Sequence, residues 1–169
     1  MIDADTRVQA TTTYTLYAHW TANSHFNPKG TCVIDGSYIY GLKTKLTSSA
    51  LKNTYLDYEN VELTIENPTG GRYLGTGSTV TVEYPDGTTE VYTIVIYGDV
   101  DGDGNITADD SASLKSYING TSSEDFTAAQ KKASNLDGSR RIDVDDFSML
   151  SSAASGAIEL NQPDPSESK

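Results

Sequence analysis

Cysteine occurs once in this 169-residue chain, at Cys32, so no internal disulfide can form. Cys32 sits in the apolar run Thr31–Ile34 and reads as a small buried hydrophobe. Missing disulfides leave the compartment open. Positive charge is scarce: 12 Lys and Arg against 24 Asp and Glu leave a net charge of −12. Such a chain is repelled by nucleic acid and by anionic membrane surfaces, so neither is an expected partner. No apolar run approaches the roughly 18 residues of a membrane helix, so no membrane insertion is expected. No signal peptide precedes Asp3, so for a secreted parent the chain is expected to be a C-terminal fragment. Histidine is limited to His19 and His25, and no Ser–His–Asp set or paired carboxylates suggest themselves. An enzyme is not expected.

The length suits two domains better than one small one. Composition changes near Tyr97. Ten of the eleven tyrosines lie at or before it, and Asp, Ser and Ala at helical spacing follow. Residues 1–97 hold six basic and ten acidic side chains, net −4; residues 98–169 hold six and fourteen, net −8. Acid is concentrated in the C-terminal part. The expected fold class is two-domain: a small β-rich module (mostly β or α+β), then an all-α module of two loop–helix units.

In residues 1–22, the stretch Thr13-Tyr14-Thr15-Leu16-Tyr17-Ala18-His19-Trp20 is β-prone. It resembles the closing strand of the Listeria–Bacteroides repeat, so residues 1–22 are expected to end a preceding repeat or to form an N-terminal strand. Residues 23–97 read as one β-rich module. Thr31–Ile34 and Ser37–Leu42 flank an Asp35-Gly36 turn. Ser48–Leu56 reads as a short helix capped by Ser48 or Ser49, and Val61–Glu66 alternates as a strand. Thr79–Tyr84 and Glu90–Tyr97 are strands joined by the hairpin signal Pro85-Asp86-Gly87-Thr88. With Tyr40-Gly41-Leu42 and Gly75-Thr76-Gly77, this region resembles the X modules that precede docking domains in clostridial and ruminococcal surface proteins. That resemblance implies a stabilising spacer.

The chemistry concentrates after Gly98, in Asp99-Val100-Asp101-Gly102-Asp103-Gly104-Asn105-Ile106-Thr107-Ala108-Asp109-Asp110. Counting Asp99 as position 1, oxygen side chains fall at 1, 3 and 5, glycine at 6, isoleucine at 8 and a carboxylate at 12. This is the EF-hand calcium pattern with Asp replacing the usual Glu at its end. Calcium takes about six to eight hard oxygens, and alternate residues of a tight loop point inward. Asp99, Asp101, Asp103, the Asn105 carbonyl and Asp110 are the candidate ligands, with Thr107 acting through water. Clustered carboxylates repel one another, so the loop is expected to lose its order without metal.

A second copy begins 36 residues later, at Asn135. Its candidate ligands are Asn135, Asp137, Ser139, Arg141 (through its carbonyl), Asp143 and Asp146. Arg140 replaces the position-6 glycine, and a strained positive φ or a distorted loop is expected there. Fewer charges and a strained turn predict two calcium sites, the second weaker. Each loop leads into a helix: about Asp109–Asn119, stopped by Gly120, and Val144–Ala154, stopped near Gly156. Ser122–Ala133 reads as a linker helix.

Two calcium loop–helix units with no helix before the first resemble dockerin, the module that binds cohesins in cellulosome-type assemblies. The resemblance covers residues 98 to about 160, leaving residues 161–169 as a tail. It implies an extracellular protein, monomeric when free, with a cohesin as partner. It also implies two cohesin faces: Ala108, Asp109, Lys115, Ser116 and Gly120, and Val144, Asp145, Ser151, Ser152 and Gly156. Ala108 and Lys115 differ from their counterparts Val144 and Ser151, so one dominant binding mode is expected. Some dockerins close their ends with an aromatic ring on a tail residue, and Tyr97 on Pro163 is the expected pair here. The competing readings are a carbohydrate-binding or adhesion module with a structural calcium tail, and a hydrolase fragment.

Overall fold

The computed structural model describes residues 24–162. The expected strand at 13–20 and the Tyr97–Pro163 contact lie outside those residues. Seven strands precede the long helices among the described residues: β1 His25–Pro28, β2 Val33–Asp35, β3 Tyr38–Tyr40, β4 Leu56–Glu59, β5 Glu62–Glu66, β6 Thr79–Glu83 and β7 Thr89–Ile94. They form a five-stranded sheet in the order β2-β3-β7-β6-β5, and a two-stranded ribbon, β1-β4. Only the β3–β7 pair is parallel. Alternation drives this. In β6, Val80 and Val82 are fully buried, while Thr79 and Thr81, which alternate with them, are half-exposed. The β6–β7 hairpin turns at Gly87, with φ +84°, and Asp86 Oδ1 accepts from Thr88 N–H and Oγ1.

The expected helix at Ser48–Leu56 is present only as α1, Ser48–Ala50, followed by a π-turn at Leu51–Tyr55. Thr47, rather than Ser48 or Ser49, caps it, accepting from Ala50 N–H. Leu51 and Tyr55 are buried against Ile39, Leu42, Val80, Ile94 and Ile96 in one core. Cys32 lies in the same core, and burial pushes its thiol up to about 11. The β1–β4 ribbon carries no alternation and escaped the sequence pattern. It is held to the main sheet in part by Phe26 stacked on Tyr92, centroids 5.3 Å apart.

Three further helices follow: α2 Ala108–Ile118, α3 Ala128–Ser134 and α4 Val144–Ala154. Each begins with a capping box: Thr107 with Asp110, Thr127 with Gln130, and Asp143 with Asp146. Thr127 takes extended backbone at its cap, so α3 starts six residues later than the expected Ser122. α2 and α4 pack over Val100, Leu114, Phe126 and Leu150, with Ile106, Leu136 and Ile142 alongside. Leu114 and Leu150 occupy the same position, 16, of the two units, so the core repeats as the sequence does.

The expected fold class is corrected here. The described chain is α+β, with four helices and 23% of residues in strands, and its parts are not a free β module beside an all-α one. Tyr40 and Val95 of the sheet region share a buried cluster with Ala129 and Ala133 of α3. Tyr97 stacks on Tyr40, and Lys132 Nζ lies 4.7 Å over the Tyr38 ring. Composition marks a change of structure at Tyr97 but carries no sign of this shared packing.

Candidate metal centre and partner face

In the first loop one carboxylate oxygen from each of Asp99, Asp101 and Asp103 lies within 4.8 Å of the other two. Gly102 and Gly104, with φ of +81° and +82°, let the loop fold that tightly. Asp99 is fully buried. Its Oδ1 accepts from the N–H groups of Gly102 and Gly104, and its Oδ2 accepts from Thr76 N–H at 2.7 Å. Burial, then the Asp110 charge, raises its carboxyl to about 7, against the bonds that lower it. Burial also raises Asp110 to about 6 and moves Asp101 upward.

Asp110 stands outside that trio. Its Oδ1 accepts from Val100 and Asp101 N–H and its Oδ2 from Thr107 N–H, tying the start of the loop to the start of α2. Thr107 caps α2 through Asp109 N–H. The Asn105 side chain bonds Asp103 Oδ1, which leaves its carbonyl as the candidate donor.

The second loop repeats the tie. Asp146 Oδ1 accepts from Leu136 and Asp137 N–H and its Oδ2 from Asp143 N–H. Asp143 caps α4. Asp137 accepts from Ser139 N–H, and Ser139 Oγ donates to the Arg141 carbonyl. No carboxylate trio forms here among the described residues. The expected positive φ at Arg140 is absent. Among the described non-glycine residues, only Lys45 and Asn60 have one, and the second loop turns at Gly138, with φ +70°, the position that Gly102 holds in the first. The second loop therefore keeps the fourth-position turn of the first and lacks the one that Gly104 makes at the sixth.

Both loops fit a hard divalent cation. The first offers clustered carboxylates, one of them fully buried, an arrangement whose charge calls for a cation. In the second, Asn135 Oδ1 is buried without a hydrogen-bond partner, at the position where the pattern requires a ligand.

The raised carboxyls have a consequence for metal-free protein. A carboxyl raised above its unfolded value contributes stability below about pH 4, and that contribution is lost as pH rises through 6 to 7. Metal-stripped chain should therefore melt higher at pH 5 than at pH 8. Calcium should reverse the order, because protons compete with it for the same oxygens. Thermal melts at the two pH values check this; a higher melt at pH 8 without metal contradicts it.

Of the expected partner residues, Ala108, Asp109, Lys115 and Gly120 are exposed on the first unit, and Val144, Asp145, Ser151 and Gly156 on the second. Ser116 and Ser152 are half-buried. Val144, 66% exposed, is the most exposed large hydrophobic among the described residues. Sequence reasoning missed Gln162. Its Oε1 accepts from Tyr97 N–H at 2.8 Å and its Nε2 donates to the Tyr97 carbonyl at 2.9 Å, so the two ends of the helical part meet. No periodicity signals such a contact across 65 residues.

Comparison with known proteins returns a family match at residues 97–153, to the dockerin type I domain. None of the curated proteins matches. One solved structure, the third cohesin ScaC in complex with the ScaB dockerin from Acetivibrio cellulolyticus, contains a chain 31% identical over 44% of this chain and 99% of that one, with a TM-score of 0.37. Residues 97–153 of this chain are a dockerin type I domain.

Proposed function

We propose that this chain is a calcium-dependent docking element that binds a cohesin and so attaches a secreted protein to a cellulosome-type scaffold. The convergence of Asp99, Asp101 and Asp103 within a segment matching the dockerin type I domain carries this reading. Calcium would be held at the first site by those three residues with the Asn105 carbonyl and Asp110. At the second it would be held by Asn135, Asp137, Ser139, the Arg141 carbonyl, Asp143 and Asp146. Calcium supplies charge neutralisation that lets each loop hold its helix in place. The preceding X-like region, residues 23–97, acts as a stabilising spacer. The protein works outside the cell and is monomeric when free. A carbohydrate-binding face would need several exposed rings on a flat sheet. Among the described residues, the exposed large hydrophobics include one ring, Tyr58.

One helix face dominates cohesin binding, because paired positions differ: Ala108 against Val144, and Lys115 against Ser151. The double variant Lys115→Ala with Ser116→Ala tests the first face, and Ser151→Ala with Ser152→Ala the second. One pair should cost about 1–2 kcal/mol or more in calorimetry against a cohesin, and the other much less. Equal losses refute a single mode.

A further inference from the structure

We propose that the segment 74–78 of the β-rich region is the outer wall of the first calcium site, and that Gly75 and Thr76 are positioning residues that set its affinity. The inference rests on reading Asp99–Asp110 as a calcium loop.

The two oxygens of Asp99 are held differently. Oδ1 takes N–H groups from Gly102 and Gly104, bonds that the loop makes within itself. Oδ2 takes an N–H from Thr76, 23 residues upstream and outside the family match. That donor is aimed. Thr76 Oγ1 accepts from Ile96 N–H at 3.1 Å and donates to the Ile96 carbonyl, and Ile96 is fully buried in the sheet core. Gly75 N–H in turn bonds Ser78 Oγ.

The two backbones interlock through glycines. A methyl at Gly75 would overlap the Gly102 carbonyl and come within 2.5 Å of Asp99 Oδ2. A methyl at Gly102 would meet the Thr76 carbonyl at 2.5 Å, and one at Gly104 the Leu74 carbonyl at 2.7 Å. Gly75 has no positive φ, so the lack of space, and not the backbone conformation, calls for glycine there. A third tie comes from Lys45, whose N–H donates to the Gly104 carbonyl at 2.7 Å from a left-handed conformation, φ +58°. Such a conformation is costly for lysine and persists only where its surroundings hold it.

A carboxylate pre-aimed by an outer donor loses less freedom when it ligates, and removing such a donor typically weakens metal binding roughly 10- to 100-fold. The second loop has no matching support: Asn135 Oδ1 has no partner, and its Nδ2 bonds Ser139 within the same loop. The sheet region therefore supports one calcium site and not the other. By linkage, calcium at the first site also tightens segment 74–78.

The test is calorimetric titration of calcium into metal-stripped full chain for the wild type, Gly75→Ala and Gly71→Ala. Gly71 also has an ordinary φ, and a methyl there meets only Thr69 Oγ1 at 3.4 Å. Gly75→Ala should weaken the tighter site roughly 10- to 100-fold and leave the weaker one unchanged, while Gly71→Ala changes neither. A folded Gly75→Ala chain with an unchanged tight site overturns the inference and leaves the calcium reading standing. No calcium uptake by the wild type overturns both. Should Gly75→Ala not fold, hydrogen exchange on the wild type decides. Calcium should slow the Thr76 amide about tenfold beyond any change at Val82, and equal slowing at the two overturns the proposal.

Discussion

Chelating calcium is expected to melt most of the helical order of residues 98–160 while the five-stranded sheet survives. The first loop brings three carboxylates together and buries Asp99 completely. Without a cation, that buried charge and its neighbours oppose the folded loop, so metal binding and folding are linked, with a cost of several kcal/mol on removal. The sheet has its own core of Ile39, Leu42, Leu51, Val80, Val82, Ile94 and Ile96, none of which is a candidate metal ligand. Far-UV circular dichroism before and after chelation checks the prediction; unchanged helix content and melting temperature contradict it. The two sites should separate in the same experiments. The first has four candidate carboxylates, a glycine at its sixth position and the support of Thr76, whereas the second has neutral Asn135 and Ser139. Asp110→Ala should abolish the tighter calcium site, and Asp146→Ala should leave it in place.

Leu150→Ala should destabilise the calcium-loaded chain by about 2–5 kcal/mol, a large share of the roughly 5–15 kcal/mol of a typical domain. Leu150 is fully buried with Val100, Leu114 and Phe126, where Tyr117 also stacks on Phe126, centroids 4.2 Å apart. A methyl at Gly98, where the sheet region hands over to the first loop, would meet Leu150 Cδ1 at 3.3 Å, so the side chain closes that space as well. Deleting it leaves a cavity that helices α2 and α4 cannot both close. Cohesin binding should fall with it, but through loss of folded protein, so excess calcium should recover part of the signal. The face variants at Lys115 and Ser116 should show no such recovery. Urea unfolding of the loaded chain measures the cost, and a loss below about 1 kcal/mol would mean that the helices do not depend on this core.

The loops and the helices were legible because their chemistry is local. Asp99, Asp101, Asp103 and Asp110 sit at spacings that only a cation-binding loop requires, and Leu114 and Leu150 repeat at one position of the two units. Strands β5 and β6 show alternation, and Pro85–Thr88 states its turn outright. What escaped depends on distant partners. The β1–β4 ribbon has no alternating pattern, since His25–Pro28 carries only Phe26 as an anchor. The Thr127–Gln130 capping box is written in the sequence, and it sets the start of α3 at Ala128 rather than near Ser122. The expected fold class needed correction because the bond from Thr76 to Asp99 and the packing of Tyr40 on Ala129 and Ala133 leave no trace in composition. The Gln162 bonds to Tyr97 are equally silent.

Docking is tested most directly by calorimetric binding of the full chain to a panel of cohesins, in calcium and again after chelation. The account predicts saturable one-to-one binding to at least one cohesin in calcium, with loss of that binding on chelation and recovery when calcium is returned. Binding that is indifferent to chelation, or no binding to any cohesin by fully folded calcium-loaded chain, would contradict it.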